Sequence, residues 1–128
     1  MAKGISPTQR SLKLLRDEER YPTIVEKYNH FIKIRQDAWG FVDLIALSPK
    51  QGEILFVQTT TMANLPARRE KSFANPNLKA MLEAGGVFEL HGWRKLKVKG
   101  EDGKKGKGMR WECKRERYGD VGEIGKEN

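Results

Sequence analysis

The chain has 128 residues, room for one domain with a single core, and its 38% hydrophobic and 33% charged residues describe a polar but foldable protein, not a disordered one. No run approaches the ~18 apolar residues of a membrane span, Met1-Ala2-Lys3-Gly4 carries no signal-peptide core, and the lone Cys113 excludes an internal disulfide or a cysteine zinc site, so a cytoplasmic protein is expected. The formal net charge is +8, and eleven Lys/Arg against four Asp/Glu lie between Arg94 and Arg117: a phosphate-facing surface, or a solvated basic half.

In chain order, Ser6-Pro7 predicts a helix start, with Ser as cap and Pro in the first turn. Leu12 and Leu15 give that helix its apolar stripe, and it should end near Glu19, before Tyr21-Pro22. Thr23 to Tyr28 alternates as a strand, and Asn29 to Arg35 is a connection of undefined structure. Two apolar strands follow, Phe41 to Leu47 and Ile54 to Thr60, joined by the turn Ser48-Pro49-Lys50-Gln51-Gly52. Asn64-Leu65-Pro66 opens a helix to Phe73, and Asn75-Pro76 opens a second, closed by Gly85-Gly86. Val87 to Trp93 reads as a strand, Lys99 to Gly108 as a charged loop, and Met109 to Arg115 as a closing edge strand. Residues 1–118 are thus one domain and 119–128 a flexible tail. The order predicts an α/β (α+β) fold with a mixed central sheet flanked by helices. In it, the long helical crossover sets the Val87 strand parallel to the Ile54 strand.

The residue that most needs explaining is Asp43, inside Phe41-Val42-Asp43-Leu44-Ile45. A carboxylate within an apolar strand costs several kcal/mol unless it is paired, hydrogen-bonded or metal-bound. It either holds a metal, caps a turn, or pairs with Arg35 at a strand end. If the two strands pair antiparallel and alternate regularly, Asp43 meets Gln58 and Thr60 at one end of the sheet. As ordinary polar residues at a strand end, Gln58 and Thr60 need no further explanation. Asp37, before the turn-like Ala38-Trp39-Gly40, reads as a surface residue, and it and Glu26 are the further carboxylates able to complete a metal shell. His30 and His91 are unclustered, which disfavours a zinc or general-base role for either.

Gly40-Phe41-Val42-Asp43-Leu44-Ile45-Ala46 and Phe56-Val57-Gln58-Thr59-Thr60 together resemble the PD-(D/E)XK nuclease superfamily. That superfamily includes restriction endonucleases, Holliday-junction resolvases and viral-type replication-repair nucleases. The resemblance covers roughly Ser6 to Trp93 and extends to small nuclease-like proteins of bacteriophages. It implies a restriction-endonuclease-like αβββαβ core, to which this chain adds a C-terminal β-hairpin. It also implies a Mg²⁺ (or Mn²⁺) site with Asp43 as ligand and Gln58 and Thr60 where an acid and a lysine usually stand. The helix residue facing that site would be Gln9. Arg68, Arg69 and Lys71, with Arg94 and Lys95, would contact nucleic-acid phosphates.

The function so implied is metal-dependent DNA cleavage, structure-selective in the manner of a junction resolvase. Branched DNA would be the partner, homodimerisation would supply the second cut, and no membrane is involved. The alternative is a catalytically degenerate member that binds nucleic acid without cleaving it. A third possibility is a basic accessory protein with a protein partner.

Overall fold

The computed structural model describes residues 4–99 and 105–124, with the side chains of residues 35, 99 and 105–107 left aside. Ser6 caps helix α1 (Pro7–Asp17), its side chain accepting from the Gln9 amide, as the Ser-Pro signal predicts. A mixed five-stranded sheet forms the centre, from β1 (Tyr21–Ile24), β4 (Leu44–Ser48), β5 (Glu53–Thr61), β6 (Val87–Lys99) and β7 (Lys105–Tyr118), in the order β1-β4-β5-β6-β7. Between β1 and β4 the chain makes a separate hairpin from β2 (Lys27–Asn29) and β3 (Ile34–Gln36). A 3₁₀ turn (Met62–Asn64), α2 (Leu65–Phe73) and α3 (Pro76–Glu83) form the crossover that sets β6 parallel to β5, as expected. The other neighbours in the sheet run antiparallel.

Two apolar layers enclose this sheet. Leu12 and Leu15 of α1 pack on Leu44, Ala46, Leu55 and Val57. Leu65, Leu78, Met81 and Leu82 of the crossover helices pack with Phe41, Val42, Phe88 and Leu90. The period of two along β5 divides the layers: Leu55 and Val57 turn toward α1, and Phe56 between them packs on the other side. Close approach is needed at Gly92, where an added Cβ would lie 3.0 Å from a Leu65 methyl.

Several expectations need correction. The strand foreseen at Thr23–Tyr28 is two strands, because the chain leaves the main sheet after Val25 and turns into the β2–β3 hairpin. The undefined connection is the tip and second arm of that hairpin. The first central strand begins at Leu44, so Phe41, Val42 and Asp43 precede it. β6 and β7 are much longer than expected and pair from Phe88↔Tyr118 outward, so β7 starts within the stretch read as a loop. Residues 100–104 of that loop lie outside the described residues. Within the stretch read as a tail, Val121–Ile124 form a short helix, α4, whose Val121 and Ile124 pack on the crossover layer.

Candidate metal centre

The approach to Asp43 is a tight turn. Trp39 and Gly40 are consecutive residues with positive φ, 55° and 84°, and Ala38 and Val42 exchange backbone hydrogen bonds of 2.9 Å across it. The loop therefore doubles back, placing Asp37 and Asp43 on its two legs. Glycine suits the second left-handed position because a Cβ is disfavoured there. Asn75, the cap of α3, clamps the turn from outside by donating to the Trp39 carbonyl at 2.9 Å.

Backbone pairing then fixes Asp43 from both sides. Its N–H donates to the Val57 carbonyl at 2.8 Å, and its own carbonyl accepts from the Val25 amide at 2.9 Å. Because Val25 is locked beside Asp43, the next residue, Glu26, starts the β2–β3 hairpin right at the site. The result is a three-carboxylate cluster: one ligand oxygen from each of Glu26, Asp37 and Asp43, all within 4.8 Å of one another. Asp43 is buried, and the other two are half-buried.

One Asp43 oxygen is held by the protein. Oδ2 accepts from the Thr59 amide at 2.8 Å and from the Thr59 hydroxyl at 3.2 Å. The Thr59 hydroxyl lies 2.8 Å from that of Thr8, in the first turn of α1. Since Thr59 donates to Asp43, Thr8 donates to Thr59, and the relay links α1 to the carboxylate. Burial is the largest influence on the Asp43 carboxyl. The Thr59 amide opposes it, but the hydrogen bond that the protonated Asp43 donates to Asp37 and the charges of Asp37 and Glu26 add to it, and the group is pushed up to about 8. Three acidic groups so close, one of them buried, repel one another when ionised, and a cation among them removes that repulsion.

All three donors are carboxylate oxygens, the chemistry that Mg²⁺, Mn²⁺ and Ca²⁺ take. Oxygens within 4.8 Å of one another are close enough to share one such ion, with further oxygen ligands filling its shell.

Some residues singled out in the sequence lie elsewhere. Gln58 and Thr60 do not meet Asp43: they face the crossover layer, where the Gln58 Oε1 accepts from the buried Ser72 hydroxyl of α2 at 2.8 Å. The residue that meets Asp43 is Thr59. Regular alternation was assumed from Phe41 onward, but the stretch before Leu44 is a turn, so that count of faces fails. Gln9 is exposed on α1, and Thr8 is the residue that reaches the site. Glu26 and Asp37, in contrast, are brought together with Asp43. The Arg35 side chain, the other partner considered for Asp43, lies outside the described residues.

Among the basic residues, Arg69 makes a two-pronged pair with Glu116, its Nε at 2.6 Å, and Arg94 pairs with Glu112 at 2.7 Å. Lys71 and Lys95 are exposed, and Arg68 is half-buried. Much of the basic excess near the C-terminus is neutralised internally. Arg115 bridges Glu18 and Glu89, and Arg117 bridges Glu53 and Glu89.

A second polar cluster was not foreseen. Ser11 Oγ lies 2.8 Å from His91 Nδ1, and His91 Nε2 lies 2.8 Å from Glu89 Oε1. The order serine–histidine–acid is that of a nucleophile relay, but Ser11 and His91 are both 0% exposed. Trp93 donates its Nε1–H to the same serine oxygen at 2.9 Å, so the Ser11 proton points to Nδ1 and the Nε2 proton to Glu89. Burial, the largest influence, pushes His91 below its ordinary value, against the pull of Glu89. Burial also tends to raise Glu89, but the His91 hydrogen bond and the Arg115 charge outweigh it and hold that carboxyl down to about 2. The cluster is a pillar between α1 and β6, not a reaction centre. Its only sequence trace was His91 within an alternating strand.

Comparison with protein-family models, curated proteins and solved structures found no match.

Proposed function

We propose that this protein is a divalent-metal-dependent nuclease of the PD-(D/E)XK kind, cutting DNA at structural irregularities through a centre built on Glu26, Asp37 and Asp43. The observation that carries this reading is the three-carboxylate cluster itself, with its buried and raised Asp43. Two features support it. The order of helix, antiparallel strands, helical crossover and parallel strand is the one the resemblance implies, with the cluster where the first central strand begins. The formal charge of +8 suits a polyanionic substrate.

In this reading Asp43, oriented by Thr59, would be the fixed ligand, and Glu26 and Asp37, on either side of the inserted hairpin, would complete the hold on the ion. Bound there, the ion would supply Lewis-acid polarisation of the phosphodiester and a water of lowered pKa. Exposed Lys71 and Lys95, with half-buried Arg68, hold backbone phosphates. Arg69 and Arg94 serve the fold through Glu116 and Glu112.

The test is incubation of the purified protein with forked, four-way and linear DNA in Mg²⁺, Mn²⁺ or EDTA. Cleavage should require the metal and fall about a hundredfold or more in Asp43→Asn. Equal cleavage by that variant, or in EDTA, would refute the reading. The degenerate-binder reading is favoured by one observation: Gln58 and Thr60, at the positions of the usual acid and lysine, face away from the carboxylates. Metal-independent DNA binding without any cleavage would select it.

A further inference from the structure

Among the described residues the β2–β3 hairpin forms a sheet separate from the main one, paired over Lys27↔Gln36, Tyr28↔Arg35 and Asn29↔Ile34. Its tip is a built turn. The Asn29 side chain accepts from the amides of Phe31 at 3.0 Å and Ile32 at 3.3 Å, and Lys33 takes a positive φ of 55° to close it. Tyr28 and His30 meet edge to face, their centroids 4.9 Å apart. This turn presents Phe31 at 98% exposure, with Ile32, Ile34 and Tyr28 also open to solvent.

The hairpin's charge indicates what covers this apolar tip. From Lys27 to Gln36 the sequence carries three cations and no Asp or Glu, so aromatic and aliphatic groups are interleaved with positive charge alone. That is the composition of a surface that stacks on bases while neutralising the adjoining phosphates. Paired DNA hides its base faces, so a lone protruding ring finds a stacking partner where pairing ends or the helix is interrupted. The hairpin's position completes the case: Glu26 immediately precedes its first strand and Asp37 immediately follows its second.

We propose that the hairpin is a base-stacking wedge, inserting Phe31 among unpaired bases at a fork or branch and so setting the adjoining phosphate against the carboxylate cluster. The cutting step rests on the function proposed above, but the wedge itself is a binding property, measurable without metal.

The experiment compares wild type, Phe31→Ala and Phe31→Trp in EDTA, by fluorescence anisotropy with a forked DNA and a blunt duplex of equal length. A 2-aminopurine at the fork base reports stacking. Phe31 is almost wholly exposed, so its replacement leaves the fold intact. Phe31→Ala should weaken binding to the fork about tenfold, leave the blunt duplex unchanged and abolish the 2-aminopurine response. Phe31→Trp should keep all three properties of the wild type. Equal binding of the fork by wild type and Phe31→Ala would overturn the wedge, as would parallel losses on fork and duplex. A dimer in sedimentation that dissociates in Phe31→Ala with DNA binding unchanged would overturn it too, assigning the tip to a second copy of the chain. A Phe31-dependent fork preference without cleavage in any metal would count against the metal centre alone, and cleavage without fork preference against the wedge alone.

Discussion

Asp43 is the residue on which sequence and structure meet. Its cost in an apolar setting was legible without coordinates, and so were Glu26 and Asp37 as its possible companions. What was not legible was which residue of β5 it touches. That depends on the left-handed pair Trp39-Gly40, which reverses the chain so that Asp43 reaches the Thr59 amide and not Gln58 or Thr60. The raised carboxyl has a pH consequence of definite sign. Below about pH 4 the group is protonated in both folded and unfolded chains. Between there and about 8 the folded chain keeps a proton that the unfolded chain has lost, so metal-free stability falls as pH rises through this window. Thermal unfolding from pH 5 to 9 should show that decline, on the order of a few kcal/mol in all. Mn²⁺ should reverse it at pH 8, and Asp43→Asn should flatten both responses. Thr59→Val removes one hydroxyl bond to Asp43 and leaves the amide bond in place. Urea denaturation should show a loss of about 1 kcal/mol for it.

The elements divide by whether their ends carry local signals. Ser6-Pro7 announces α1, Asn75-Pro76 announces α3, and Gly85 with a φ of 94° ends it, all readable because capping chemistry is local. The β2–β3 hairpin has no Gly or Pro at its tip. Its turn is held by the Asn29 side chain and a left-handed Lys33, and neither betrays itself in a list of residues. The pillar beneath α1 was equally hidden, because it joins residues 80 apart in sequence. Glu89 there accepts from Arg115, Arg117 and His91 while almost completely buried. Glu89→Ala leaves two guanidinium groups and an imidazole without that partner, and urea unfolding should show a loss of about 3–5 kcal/mol. The DNA affinity of the variant that remains folded should be unchanged, which separates this acid from those of the metal centre.

Across the whole molecule, the basic excess read from the sequence is not one surface. Arg69, Arg94, Arg115 and Arg117 are paired with carboxylates of neighbouring elements, so the total charge overstates what a nucleic acid meets. Lys71→Glu and Lys95→Glu should each weaken DNA binding and make its salt dependence shallower by roughly one unit per lost phosphate contact. Arg69→Ala should instead lower stability. The mixed sheet and its parallel crossover were legible because a crossover of two helices leaves few alternatives. The position of the carboxylates at the root of an inserted hairpin was not, because it follows from how the chain departs from the sheet at Val25 and returns at Asp43. The most direct measurement is a Mn²⁺ titration of the metal-free protein at pH 7, following free ion by electron paramagnetic resonance and released protons by calorimetry. Saturable binding at one centre, with proton release and with both lost in Asp43→Asn, is the expected result. Absence of saturable binding, or binding that Asp43→Asn leaves unchanged, would contradict it.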